Sequence, residues 1–105
     1  MLKYTISYPR VAGGFFDLDY YCQKHAALFR EQYGEKCRAF LVEECLDYID
    51  GTPAPFQVIG CAYLDFETVE EFAQANQRAS VALREDIPHF TDLSPVRTLS
   101  LVRES

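Results

Sequence analysis

Two polar side chains stand where helical spacing calls for apolar ones. In FDLDYYCQKHAALFREQYG, from Phe16 to Gly34, one helical face starting at Leu18 reads Leu18, Tyr21, Cys22, His25, Leu28, Phe29 and Gln32, with His25 at its centre. The opposite side carries Asp19, Gln23, Lys24, Arg30 and Glu31, so the polarity of the helix turns His25 inward. In TVEEFAQANQRASVALR the face starting at Val69 reads Val69, Phe72, Ala73, Asn76, Ala79, Ser80 and Leu83, and Asn76 holds the same central place. Cys22 on the first helix, and Ala73, Ala79 and Ser80 on the second, are small and leave room beside the two polar groups. Space next to inward polar groups is the pattern of a pocket.

The chemistry such a pocket could do follows from the imidazole. Burial disfavours the charged form and keeps a neutral base at neutral pH. That base can take a proton from a carbon next to a carbonyl or from a phenolic hydroxyl, while a tyrosine hydroxyl or the Asn76 amide hydrogen-bonds the oxygen that gains charge. His25 is therefore the candidate general base. Tyr4, Tyr8, Tyr21, Gly60 and Asn76 are the candidate substrate contacts, with Gly60 and Ala62 the small residues on the strand beneath. The structural alternative has His25 tying helix to sheet through a backbone carbonyl or a tyrosine hydroxyl, with no ligand involved. No phosphate loop, metal-ligand set, or flavin or nicotinamide fingerprint is present, so the expected chemistry needs no cofactor. His89, behind Pro88 in IPHFTD, reads as a rim residue, and Phe90 as a plug at the end of the sheet.

The elements that must position these residues are legible. Leu2 to Tyr8 alternates as a strand ended by Pro9, and Gly13-Gly14 makes a loop. Asp17 caps the first helix, Phe16 and Tyr21 form a staple across its start, and Gly34 closes it. Cys37 to Leu46 reads as a strand, DGTPAP as a turn, and the nearly continuous apolar run from Phe56 to Phe66 as a central strand. Thr68 and Glu71 have the spacing of a capping box at the start of a helix running to about Arg84, and Val96 to Arg103 alternates as a last strand. The order βαββαβ predicts an α+β, ferredoxin-like fold: a four-stranded antiparallel sheet with two helices on one face. Its other face would leave apolar side chains uncovered, which a homodimer pairing two sheets would bury.

Composition narrows the partners. The 105 residues, 49% hydrophobic and 14% aromatic, suit one domain spanning 1–105. A formal net charge of −6 with no Lys/Arg cluster argues against nucleic acid and anionic membranes and favours a small-molecule or protein partner; with the inferred pocket, a small hydrophobic or aromatic ligand is expected. No signal-like or membrane-spanning run is present, so a cytoplasmic location is expected. Cys22, Cys37, Cys45 and Cys61 are unevenly spaced and read as reduced, mostly buried thiols.

With these residues placed, the chain resembles the EthD family, named for ethyl tert-butyl ether degradation, of the dimeric α+β barrel superfamily. The resemblance covers almost the whole length. It rests on Tyr8-Pro9, on FDLDYYCQKH with Phe16, Asp17, Asp19, Tyr20, Tyr21 and His25, on PAPF to YLDF around the third strand, and on DIPHFTDLSPV from Asp86 to Val96. It departs at Ala27, where members often carry Pro, and at His89, where they often carry Asn. The resemblance implies a homodimer with a shared barrel and a pocket in each protomer between helices and sheet, with the His25 position at that pocket. Its superfamily includes cofactor-free monooxygenases, lactone isomerases and polyketide cyclases. Two functions remain open: a cofactor-independent enzyme of oxidoreductase, isomerase or cyclase type acting on an aromatic, lactone or carbonyl compound, and a non-catalytic ligand-binding dimer supporting an oxygenase in ether or aromatic degradation.

Overall fold

In the computed structural model, which describes residues 1–105, Leu2–Pro9 form β1, whose inward positions Leu2, Tyr4, Ile6 and Tyr8 are all buried. The chain then enters helix α1, residues 18–33, at Asp17, whose carboxylate accepts the Tyr20 backbone N–H at 3.0 Å. One turn of α1, Tyr21–His25, is π-helical, and the Ala26 N–H bonds the Tyr21 carbonyl five residues back. Gly34 ends the helix at φ +60°, ψ −136°, a conformation that costs glycine little and a side-chain-bearing residue much. Strand β2 is Cys37–Glu44, β3 is Phe56–Leu64, helix α2 is Val69–Asp86 and β4 is Val96–Leu101.

The strands form one antiparallel sheet in the order β2-β3-β1-β4. Each helical crossover joins two strands that flank a third, which is the split βαβ arrangement of the ferredoxin-like fold. Register fixes which side chains meet the helices. Tyr4 lies opposite Ala62 and Leu99, and Ile6 opposite Gly60 and Arg97. The core between sheet and helices is aromatic, with Tyr4 edge-on to Phe72 at 5.1 Å and Phe29 against Phe40 at 4.6 Å between ring centroids.

The element order agrees with the sequence reading; several ends differ for local reasons. β2 stops at Glu44 rather than Leu46 because the chain turns into a loop closed by Tyr48 N–H to the Thr52 carbonyl at 2.8 Å. β3 ends at Leu64 rather than Phe66, since the Phe66 N–H turns back to the Leu64 carbonyl at 2.9 Å. β4 ends at Leu101 rather than Arg103 because Leu2, at the start of β1, is its last partner. α2 starts on the Thr68–Glu71 capping box and runs past Arg84 to Asp86, where Pro88 sits in the first turn of a short 3₁₀ segment, Ile87–His89.

Two expectations about helix faces are corrected. Cys22 is exposed and Tyr33 buried, because the extra residue of the π turn rotates the inward stripe to Tyr21, His25, Ala26, Phe29 and Tyr33. On α2, Val69 and Ala73 are exposed, and the buried line is Phe72, Ala79 and Leu83. The four thiols are all free, but only Cys61 is buried; Cys37 and Cys45 are half-buried. No helix is long and apolar enough to cross a membrane.

Candidate functional site

The π turn of α1 brings both His25 and Ala26 against the layer below, 3% and 2% exposed. Asp86, the last residue of α2, meets the histidine: its Oδ2 lies 2.9 Å from His25 Nδ1. The other carboxylate oxygen, Oδ1, accepts the Tyr20 hydroxyl at 2.6 Å and lies 3.6 Å from Nδ1 of the exposed His89. His89 stacks on Tyr20 with 6.1 Å between ring centroids. The start of α1 is locked to the end of α2 by the Asp17 N–H on the Phe90 carbonyl at 2.7 Å and the Thr91 hydroxyl on the Phe15 carbonyl at 2.6 Å. His25 and Asp86 are thus held at hydrogen-bond distance from both sides.

The electrostatics give each group a defined state. Burial pushes the His25 pKa below the ordinary histidine value, outweighing the Asp86 carboxylate that pulls it up. Burial also raises the Asp86 carboxyl, but hydrogen bonds from Tyr20 and His25 and the neighbouring histidines bring it below its usual value. An ionised carboxylate only accepts, so it fixes the proton of a neutral His25 on Nδ1 and leaves the Nε2 lone pair unused. Nε2 has no protein partner and still touches open space, since the only sealed side-chain polar atom lacking a partner is the Tyr21 hydroxyl oxygen.

That open space is a cavity of about 290 Å³ between the helices and the sheet. The sheet contributes Tyr4, Ile6 and Tyr8 from β1 and Arg97 from β4; α1 contributes His25 and Phe29. Asn76, Ser80, Leu83, Arg84 and Ile87 follow one face of α2 and its 3₁₀ extension. A second hollow of about 330 Å³ adjoins it, sharing Tyr4, Asn76 and Arg97. Burial pushes the Tyr8 phenol up to about 12 although the Arg97 charge pulls it down, so at neutral pH Tyr8 carries a proton to donate. Tyr4 is raised by burial as well, again partly offset by Arg97. The Asn76 carbonyl accepts the Tyr33 hydroxyl at 2.8 Å, which leaves the Asn76 NH₂ for the cavity. Around one space, then, stand a neutral base with a free lone pair, two protonated phenols and an amide donor. No three His, Cys, Asp or Glu side chains are grouped as metal ligands.

Of the sequence candidates, His25, Tyr4, Tyr8 and Asn76 come together at this cavity. Tyr21 and Gly60 are placed apart from its wall: the Tyr21 phenol lies on the bare backbone of Gly60 and fills the space that a Cβ there would occupy. Of the small helical residues expected to make room, Ser80 lines the cavity, Ala79 is buried, and Cys22 and Ala73 face outward. Sequence reasoning missed Asp86, Arg84 and Arg97. Asp86 is 61 residues from its partner, beyond the reach of any periodicity. Arg97 did carry a signal, since it falls in phase with Leu99 and Leu101, the residues of β4 on the helix side.

No protein-family model matches the chain, and no curated protein matches it. Among solved structures, an EthD-like protein from Ralstonia eutropha JMP134 superposes with a TM-score of 0.85 at 28% identity, covering 99% of this chain and 95% of that one. An ethyl tert-butyl ether degradation (EthD) family protein from Bacillus halodurans C-125 shares the fold with a TM-score of 0.72 at 20% identity, covering 98% and 99%. The fold and the end-to-end coverage agree with the resemblance to the EthD family, two of whose solved structures this chain is similar to.

Proposed function

We propose that the cavity is the site of a cofactor-independent enzyme in which His25 is the general base, acting on an aromatic, lactone or carbonyl compound. The observation that carries this reading is the His25–Asp86 pair, with Nδ1 bound to the carboxylate at 2.9 Å and Nε2 open to the cavity. A substrate seated there loses a proton to Nε2. The charge that develops on its oxygen is met by the Tyr8 hydroxyl and the Asn76 amide, while Asp86 holds the ring in the competent tautomer and balances the imidazolium. Such a step contributes about 10²- to 10⁴-fold in rate. The open face of the sheet, where Leu41 and Val96 are more than half exposed, fits the contact of a homodimer built from two such domains.

Two measurements test the base. Asp86→Asn presents an amide that can donate to Nδ1, so the His25 proton moves to Nε2; ring ¹⁵N shifts report the exchange without any substrate. A proton that stays on Nδ1 both in this variant and in Asp86→Leu removes Asp86 from the role. Once a ligand is recovered by native mass spectrometry and turned over, His25→Ala with an intact fold should lose about 10²-fold or more of turnover. Full turnover in that variant ends the reading, and a recovered ligand that is never converted leaves a binding protein.

A further inference from the structure

The cavity wall contains two guanidiniums that nothing in the protein neutralises. Every ion-pair contact in the molecule converges on Asp86, from His25 at 2.9 Å and His89 at 3.6 Å, so no carboxylate stands within 4.0 Å of Arg84 or Arg97. Asp86 is already engaged by Tyr20 and His25. Arg84 makes one side-chain hydrogen bond, from Nε to the Ser80 carbonyl at 3.3 Å, which leaves its terminal NH₂ groups without protein acceptors. This occurs in a chain of net charge −6, with sixteen acidic residues against ten basic, where acidic partners are plentiful.

The phase of Arg97 argues against a merely solvated charge. The positions of this edge strand that face away from the helices carry small polar side chains. On β4 those positions are Thr98 and Ser100, paired with Thr5 and Lys3, while Arg97 is paired with Ile6 on the helix side. There its charge acts on the phenols of both Tyr4 and Tyr8. The remainder of the wall, Ile6, Phe29 and Leu83, is apolar. A cavity with an apolar body, two cations free of counter-ions and several neutral donors complements an organic anion, and charge-assisted bonds from arginine to a carboxylate are the strongest such a wall can offer.

We propose that the ligand is a small organic acid with an apolar, ring-sized body, its carboxylate held by Arg97 and Arg84. This rests on the cavity being the ligand site of the preceding reading, but not on His25 being a base. The consequence for specificity is direct: neutral isosteres lose the anchor that orients the reacting bond toward His25 Nε2.

The test uses the intact protein and a matched probe pair, 2-naphthoate and 2-naphthamide, which share a shape and differ in charge. Titration at low ionic strength, followed by calorimetry or amide chemical shifts, should give naphthoate an affinity about tenfold or more above that of the amide. Arg84→Gln/Arg97→Gln, both at exposed positions and checked by thermal melting, should abolish that preference by weakening naphthoate far more than naphthamide. Equal affinities for the two probes overturn the proposal, as does a preference that survives in the double variant or the lack of saturable naphthoate binding. Binding to His25→Gln separates the two readings: a preserved naphthoate preference there, together with unimpaired turnover, sinks the base and keeps the anion site.

Discussion

Two tyrosine rings, Tyr8 and Tyr21, pack edge-on with centroids 5.6 Å apart in the layer between helices and sheet, and their hydroxyls meet opposite surroundings. The Tyr21 hydroxyl is sealed and has no hydrogen-bond partner. The Tyr8 side chain, by contrast, forms part of the cavity wall. The strand beneath and the helix above make the difference. Gly60 lets the Tyr21 ring lie down on the sheet, where Phe40 closes over the same spot. Beside Tyr8, the short side chains of Asn76 and Ser80 fail to reach the sheet and leave space. An unpartnered polar atom is a folding cost where it is sealed and a binding opportunity where it is open.

The largest effect on stability comes from breaking the sealed half. A Cβ at position 60 would collide with the Tyr21 hydroxyl and crowd the Phe40 ring, and neither fully packed ring has room to retreat. Gly60→Ala should therefore lower stability by about 2–3 kcal/mol, the range for overpacking a core. Denaturant unfolding of the pure protein measures it, and a loss below about 0.5 kcal/mol shows that Tyr21 can swing aside and that the two halves are not distinct.

The next effect belongs to the open half and depends on pH. Since the folded protein depresses the His25 pKa below 6.5, the unfolded chain binds the proton more readily, and acidification through and below that value favours unfolding. The stability contributed by neutral His25 is whole above pH 6.5 and declines beneath it. Asp86, depressed below 3.8, adds a second decline only at more acidic pH, as the carboxylate that holds Tyr20 and His25 becomes protonated. In His25→Gln the upper decline should vanish and the lower one remain. A variant whose stability falls as steeply as that of the parent just below pH 6.5 assigns the upper transition to another group.

These two halves were unequally legible in the sequence. The strands, the helix caps and the inward placement of His25 and Asn76 follow from periods of two and about 3.6, which are local properties. The cavity beside them follows from that reading only in part, since Ser80 lines it while Cys22 and Ala73 face outward and Gly60 is filled by Tyr21. The π turn does not, because one inserted residue rotates the positions within and beyond it: Cys22 faces outward and Tyr33 inward, while His25 keeps its inward place. Tyr21 has the composition of a ligand contact, and only the register of β3 shows that Gly60 receives it. Asp86 lies beyond any local pattern, since chain reversal at Pro88 and the Phe90–Asp17 hydrogen bond bring it to the histidine. Arg97 shows that the anomaly which exposed His25, a polar residue in phase with apolar neighbours, works on strands as well.

The smallest effect sharpens the contrast between the tyrosines. Removing the sealed hydroxyl in Tyr21→Phe keeps the ring on Gly60 and relieves a desolvated group that costs about 1–3 kcal/mol where it finds no partner. Burial, chiefly, and the neighbouring Tyr8 raise the Tyr21 pKa, so the sealed hydroxyl keeps its proton. A gain of about 0.5–1 kcal/mol is expected, or a melting temperature a few degrees higher. Tyr8→Phe should leave stability nearly unchanged, because its hydroxyl is open to the cavity, and should instead weaken binding of an oxygen-bearing ligand. If Tyr21→Phe costs 1 kcal/mol or more, the Tyr21 hydroxyl is bonded to Tyr8 in solution, and the sealed half extends to the edge of the cavity as a donor chain rather than stopping at a dry wall.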